Sequence, residues 1–320
     1  MNKYYLFFIL ILSSFISEGQ NLNYSQFYSS PLNLNPAMTG IGEFGRAGVN
    51  YRNQWPSFAG GIHYFSSWID YNLMKSNFSL GLNISNEFEE VYKLSTSHLS
   101  PSFSYEININ YKWILRSGAQ FSIVDSKLNN DLIFLDQFNS DGTIGSTAEN
   151  LMIYNNRNYM SLAMGMLAYS EKIWIGGSIY NLNEPNISFT NEKLNLDRLY
   201  SFHLGFTIDK LKMSPSLHFK KKSKFKQLDI GTYFNLDHIN FGLWYRGVPI
   251  DSNNNFNSVI SSLGINFKAF IMSYSYDYNF SDLSDSGGSH EISIIYNFNF
   301  LGKKIPPKNA RFLQCPIPNF

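Results

Sequence analysis

The sequence predicts a transmembrane β-barrel of the outer-membrane type, with about 14 antiparallel strands. Three observations carry that expectation. Fourteen short segments alternate apolar and polar residues, the gaps between them alternate short and long, and the composition is rich in aromatics and poor in charge. A strand turns successive side chains to opposite faces, so each such segment has one apolar and one polar face. In an outer-membrane barrel the apolar face meets lipid and the polar face lines the lumen. Residues 292–300 show the pattern best. Ile292, Ile294, Tyr296, Phe298 and Phe300 share one face, Ser293, Asn297 and Asn299 the other, and Ile295 breaks the rule.

The chain has 320 residues, of which 15% are charged and 17% aromatic. Soluble domains carry about a quarter charged residues, so a soluble sandwich of this size would show more surface charge. The 21 tyrosines and 28 phenylalanines suit interfacial girdles. A net charge of +1 provides no field to recruit nucleic acid.

The elements follow in order. Residues 1–19 read as a signal peptide. Lys3 gives the positive start, Tyr4 to Phe15 an apolar run too short to span, and Ser17 and Gly19 the small residues before cleavage at Gln20. No cysteine stands just after the run, which argues against lipoprotein processing. Beyond it no stretch approaches the roughly 20 apolar residues of a membrane helix. Residues 20–44 hold Pro31, Asn33, Asn35, Pro36, Gly40 and Gly42, and are read as irregular, packed inside or beneath the barrel.

The barrel itself is assigned to residues 45–300. Its strands are expected at 45–53, 59–72, 78–86, 93–107, 111–124, 158–169, 173–181, 198–209, 212–221, 225–236, 239–247, 257–267, 269–279 and 289–300. Phe78, Leu80, Leu82 and Ile84 oppose Ser79, Gly81, Asn83 and Ser85. Phe202, Leu204, Phe206 and Ile208 oppose His203, Gly205, Thr207 and Asp209. Val259, Leu263, Ile265 and Phe267 oppose Ser262, Gly264, Asn266 and Lys268. Tight joints fall at 74–77, 108–110, 170–172, 210–211, 237–238 and 268. Longer connections lie between them, the longest at 125–157. Short periplasmic turns alternating with longer outer loops is the barrel rule, and an even strand count puts both termini in the periplasm. Residues 301–320 form a tail made basic by Lys303, Lys304, Lys308 and Arg311, with four prolines that stop the sheet.

Enzyme signatures are absent. There is no Gly-x-Ser-x-Gly, no phosphate-binding loop, no His-Glu-x-x-His and no cysteine pair. The six histidines are scattered, without metal-ligand spacing. No catalytic residue, cofactor or metal is expected. The single cysteine, Cys315, excludes an internal disulfide. Gly287-Gly288-Ser289-His290-Glu291 reads as a glycine turn followed by lumen-facing polar residues. Glu291 then needs a cationic partner, which Arg46, Arg52 or Arg246 could supply. Arg46, Arg52, Arg246, His290 and Glu291 are accordingly expected as a polar cluster in the lumen. Tyr51-Arg52-Asn53-Gln54-Trp55-Pro56 ends the first strand, either as an interfacial Trp beside a strand-stopping Pro or as a protein-binding surface. Lys220, Lys221, Lys222, Lys224 and Lys226 crowd one loop, which suits anionic lipid headgroups or water.

Several ordered motifs together resemble the PorP/SprF family of outer-membrane proteins, found in Bacteroidota with type IX secretion and gliding motility. They are Ser25-Gln26-Phe27-Tyr28, Pro31-Leu32-Asn33-Leu34-Asn35-Pro36-Ala37, Asn50 to Pro56, and Asn183-Glu184-Pro185-Asn186. Gly242-Leu243-Trp244-Tyr245-Arg246, Tyr274-Ser275-Tyr276-Asp277, Gly287 to Ser293 and the ending Cys315-Pro316 with a final Phe320 complete the set. The resemblance implies a 14-stranded barrel similar to the long-chain fatty-acid transporter type. It also implies a component or accessory of type IX secretion. Its partners would be periplasmic ring or motor-linked proteins, a secreted adhesin or cargo protein, and outer-membrane lipid. Partner contacts are expected at Tyr51, Arg52, Asn53, Gln54, Trp55, Pro56, Asn183, Glu184, Pro185, Asn186, Lys303, Lys304, Arg311 and Cys315. The tail carries Ile317-Pro318-Asn319 where the family has a briefer ending, and both the core and accessory roles stay open. The competing expectation is a channel for hydrophobic or small polar solutes.

Overall fold

A computed structural model describes residues 24–58, 60–73, 76–128, 154–248, 257–280, 284–299 and 313–318, and positions 138, 143 and 145. The signal peptide, Lys303, Lys304, Lys308, Arg311 and most of the 125–157 connection lie outside these residues.

Fourteen antiparallel strands close into one barrel in sequence order, with the first paired to both the second and the last. They are β1 Gly45–Gln54, β2 Ile62–Asn72, β3 Phe78–Glu89, β4 Leu94–Asn110, β5 Trp113–Leu128, β6 Asn156–Tyr169 and β7 Ile173–Tyr180. Then come β8 Leu199–Phe206, β9 Met213–Lys222, β10 Phe225–Leu236, β11 Ile239–Arg246, β12 Ser258–Phe267, β13 Phe270–Asn279 and β14 Ser289–Phe298. Closure leaves no strand edge to be satisfied in hydrocarbon, where an unpaired amide costs several kcal/mol. No helix among the described residues is long and apolar enough to cross a membrane.

Every expected strand is present, with shifted ends. β2 begins only at Ile62, because Gly60 and Gly61 both take positive φ and turn the chain first. β8 stops at Phe206 rather than 209, because Asp209–Leu211 wind into a helical turn that Lys212 ends in the left-handed region. The joint there spans 207–212, longer than expected. β4 and β5 run 17 and 16 residues, whereas β7, β8 and β11 have 8. About 9–11 residues suffice to cross a bilayer, so the β4–β5 wall stands higher than the rest.

The alternation sorts as expected. Leu80, Ile84, Met164, Leu263 and Ile292 are exposed on the outside, while Ser79, Asn83, Ser262 and Ser293 are buried inside. Ile295 does not break the period. It keeps the inward parity and packs with Leu32, Trp68 and Ile271. Inward apolar residues are wanted because this lumen is filled.

An arginine on the lipid face at mid-strand should be costly. Leu263→Arg is expected to destabilise the barrel by about 2–4 kcal/mol. Urea-dependent unfolding from lipid vesicles, followed by tryptophan fluorescence, would measure it; a change below the error of the extrapolation would mean that Leu263 does not face lipid.

Candidate functional site

The lumen is occupied by the chain's own residues 24–41. They pass through three short helical turns, Phe27–Ser29, Pro31–Leu34 and Pro36–Met38, and nearly every one is buried. Prolines start the second and third turns, where a missing N–H costs nothing. The segment runs from the long-loop half of the barrel, beside Arg52 and Glu291, to the tight-turn end, beside Arg46 and Asp70, where it enters β1.

Its backbone has no strand to pair with, so lumen side chains complete it. Glu291 accepts from Ser25 N at 2.6 Å and Gln26 N at 3.3 Å. Arg246 donates to Tyr24 O, and Ser178 donates to Leu34 O. Arg116 donates to Ala37 O at 3.2 Å and Thr39 O at 2.6 Å, while its other nitrogen meets Glu106 at 2.6 Å. Asp70 accepts from Gly40 N and pairs with Arg46.

A charge cluster fixes the long-loop end of the segment. Strand register sets Arg52 opposite Glu291 and Arg246 opposite Asp229. Asp277 Oδ2 then accepts from Arg52 at 2.8 Å, Arg246 at 2.9 Å and Ser25 Oγ at 2.6 Å. Arg52 reaches Glu291 at 3.3 Å. Breaking one member of so buried a set costs about 3–5 kcal/mol, because the remaining charge is stranded.

The opposite wall is shaped to receive the middle of the segment. A Cβ on Gly118 would lie 2.4 Å from Ala37 N and from the Pro36 carbonyl; one on Gly165 would lie 1.9 Å from Asn35 Oδ1. Only glycine permits that approach. Asn35 Nδ2 donates to Met166 O, Gly177 O and His203 Nε2, joining β6, β7 and β8. Phe27 meets Trp244 edge-on at 5.1 Å, and Trp174 Nε1 donates to the Tyr28 hydroxyl.

The structure redistributes the expected site residues. Arg52, Arg246 and Glu291 come together. Arg46 is in the lumen but sits at the far end with Asp70. His290 is a correction: it has outward parity, bonded to the Tyr274 hydroxyl at 2.8 Å and tilted against Tyr276, so it belongs to the aromatic girdle. The 51–56 surface is split by alternation. Arg52 and Gln54 are buried inward, which leaves Tyr51, Asn53, Trp55 and Pro56 accessible. Trp55 takes φ 59° and donates its N–H to Gly288 O.

Asn183 to Asn186 knit the β7–β8 connection to the wall. Asn183 accepts from Leu162 N and donates to Met160 O, standing in for a strand beside β6; Asn186 caps Ser188 N and Leu194 N. Glu184 meets Arg198 at 3.3 Å, and Pro185 O accepts from Leu196 N. The lysine crowd is divided likewise. Lys220 and Lys222 keep the inward parity of His218, and Lys221 faces out. The described part of the tail is not a separate extension. Leu313, Cys315 and Ile317 pack against the lumen core beside the plug, and Gln314 bonds Glu43. Their apolar side chains find cover there, and burial pushes the Cys315 thiol up to about 12.

Sequence reasoning missed Arg116, Asp70, Asp229, His203 and the three buried tryptophans Trp68, Trp174 and Trp244. Each holds inward parity on its strand, and that parity was the available signal. Among the described residues no group of three His, Cys, Asp or Glu side chains is placed to hold a metal ion.

A family model described as type IX secretion system membrane protein PorP/SprF matches residues 16–296. No curated protein matches the chain. Among solved structures, the TodX ΔS2S3 mutant monoaromatic hydrocarbon channel is similar at 10% identity and TM-score 0.53, over 82% of this chain and 93% of that one. The CymD monoaromatic hydrocarbon channel is similar at 12% identity and TM-score 0.50, over 85% and 93%. A Pseudomonas aeruginosa FadL homologue gives 11% identity and TM-score 0.49, over 85% and 94%. The likeness to the two hydrocarbon channels is one of fold.

Two labelling experiments test the filled lumen. With Cys315→Ser, a cysteine at Ser29 should resist maleimide in the folded barrel and react at least about tenfold faster when Gly118→Val forces Ala37 off the wall. Equal rates would remove Gly118 from the seat. In the unaltered chain, Cys315 should react far more slowly than an exposed thiol of pKa about 8.5 at pH 8, because the thiolate appears only as pH approaches 12. Rapid labelling of the folded protein would contradict the packed tail.

Proposed function

Since the chain belongs to the PorP/SprF family of type IX secretion system membrane proteins, we propose that this outer-membrane barrel serves that system as a closed anchor. It holds protein partners at its two rims rather than passing solute. The observation that carries this reading is the plug: residues 24–41 fill the lumen and are bonded to strands all around it. A pore's contents would have to displace a buried charge cluster and much of a hydrophobic core.

In this reading the tight-turn end, with both termini of the barrel strands, faces the periplasm. There Lys303, Lys304 and Arg311 of the tail meet periplasmic ring or motor-linked proteins, whereas Cys315, packed against the lumen core, is withdrawn from that surface. The long-loop end faces outward and offers Tyr51, Asn53, Trp55 and Pro56, and half the barrel's circumference away the Asn183–Asn186 loop, to a secreted adhesin or cargo protein. Lys221, with outward parity, suits anionic headgroups of outer-membrane lipid. The work is binding, with no catalytic step. The second reading, a channel for hydrophobic or small polar solutes, has the hydrocarbon-channel likeness in its favour, which is a likeness of fold.

Planar-bilayer recording separates the two. The intact barrel is expected to stay closed, and a chain lacking 24–35 to conduct; steady conductance from the intact barrel would favour the channel. Affinity purification from mild-detergent outer membranes should then co-purify periplasmic ring proteins or a large surface adhesin. Recovery of the barrel alone would count against the anchor.

A further inference from the structure

The plug does not fill the lumen evenly. Against the β3–β6 wall it leaves a cavity of about 250 Å³, reaching from Asn33 of the plug to Glu89 and Lys222 at the long-loop ends of β3 and β9. The void exists because inward positions there are small. Ser85, Ser100, Ser122 and Ser161 stand on this wall, whereas β11 across the barrel carries Trp244 and Arg246.

We propose that this cavity is a binding site for a guanidinium or primary ammonium group. Three observations point to that chemistry. First, Glu87 and Glu89 lie two residues apart on β3, so both project from the same inward face into the cavity. Second, the cavity sets these two carboxyl groups against a single cationic side chain, Lys222, so oxygen acceptors outnumber the cation already there. Third, Asn83 lines the cavity at 1% exposure, and its Oδ1 has no hydrogen-bond partner among the described residues, while its Nδ2 donates to Asn33 Oδ1 at 2.8 Å. Both carboxylates and the Asn83 carbonyl are acceptors, so the complement is a compact cation rich in N–H donors. The hydroxyls of Ser100 and Ser122 bond each other at 2.8 Å and so make a weaker claim on a ligand.

The volume suits one side chain or a small amine, below the several hundred Å³ of a drug-sized site. Such a cation could arrive as a free polyamine-like molecule or as an arginine or lysine on a partner polypeptide. The inference does not rest on the secretion role, because a carboxylate-lined cavity binds a cation whatever the barrel anchors.

The test is isothermal titration calorimetry on the purified full-length barrel in detergent, with agmatine, a Gly-Arg-Gly amide peptide and glucose as probes. Agmatine binding marks a free cation as sufficient; peptide binding alone marks a partner-borne side chain. In either case Glu87→Gln with Glu89→Gln should weaken binding about tenfold or more, the loss expected for a charge-assisted hydrogen bond. Lys222→Gln should strengthen it, a change of sign that damage to folding cannot imitate. Heat-modified gel mobility checks that each variant is folded. No binding of either cation to the unaltered barrel, equal binding by the Glu→Gln pair, or tighter binding of glucose than of both cations would overturn the proposal.

Discussion

A polypeptide threaded through a barrel carries amides and carbonyls that no strand can pair, and the rest of this structure is arranged around satisfying them. The demand explains why the lumen wall is set with long polar side chains at chosen heights. Glu291 takes two amides at one end of the plug, and Arg116 takes two carbonyls near the other. Between them Asn35 works sideways, tying the plug to three strands through one amide group. The ion pairs follow from the same need. Carboxylates recruited to hold backbone N–H groups must be neutralised in a buried place, and Arg52 and Arg246 do so from strands where register brings them opposite.

This arrangement gives the interior two characters. On the side of β10 to β14 and β1 the plug meets aromatic rings and charges, and the space is closed. Facing β3 to β6 it is held by Arg116 and seated on two glycines toward the tight-turn end, while toward the long-loop end the wall is serine-rich and the space partly open. The glycines at 118 and 165 mark the line where plug backbone and wall touch, so the seat is determined by missing side chains as much as by present ones. A channel-type barrel and a closed one can therefore share strand number and overall shape while differing in what the inward residues are for.

Much of the barrel was legible because lipid imposes a simple pattern on the outside: every second residue must be apolar, whatever the protein does. The inside obeys no such rule, and there the sequence misleads. Ile295 looks like an error of period until Leu32 and Trp68 are seen against it. Tryptophans at 68, 174 and 244 count toward an aromatic girdle in composition, yet they are buried against the plug. His290 sits between polar neighbours and reads as lumenal, though its parity with Ile292 and Ile294 sends it outward. The motif at Asn183 looks like a surface signature, and its amide turns out to replace a missing piece of strand. Partner chemistry at residues 24–41 was invisible because each contact joins positions far apart in sequence, such as Ser25 with Asp277.

Residues 24–41 lead into β1, and the bonds of Ser25 reach β14 and β13, the last strands made. The seam between first and last strand is thus stapled from within by Arg52, Ser25 and Glu291. Its contacts bridge the two ends of the sheet and so favour their register. Closure of the wall and filling of the interior are energetically coupled in this way, and a chain without these residues in place would have to zip its seam unaided.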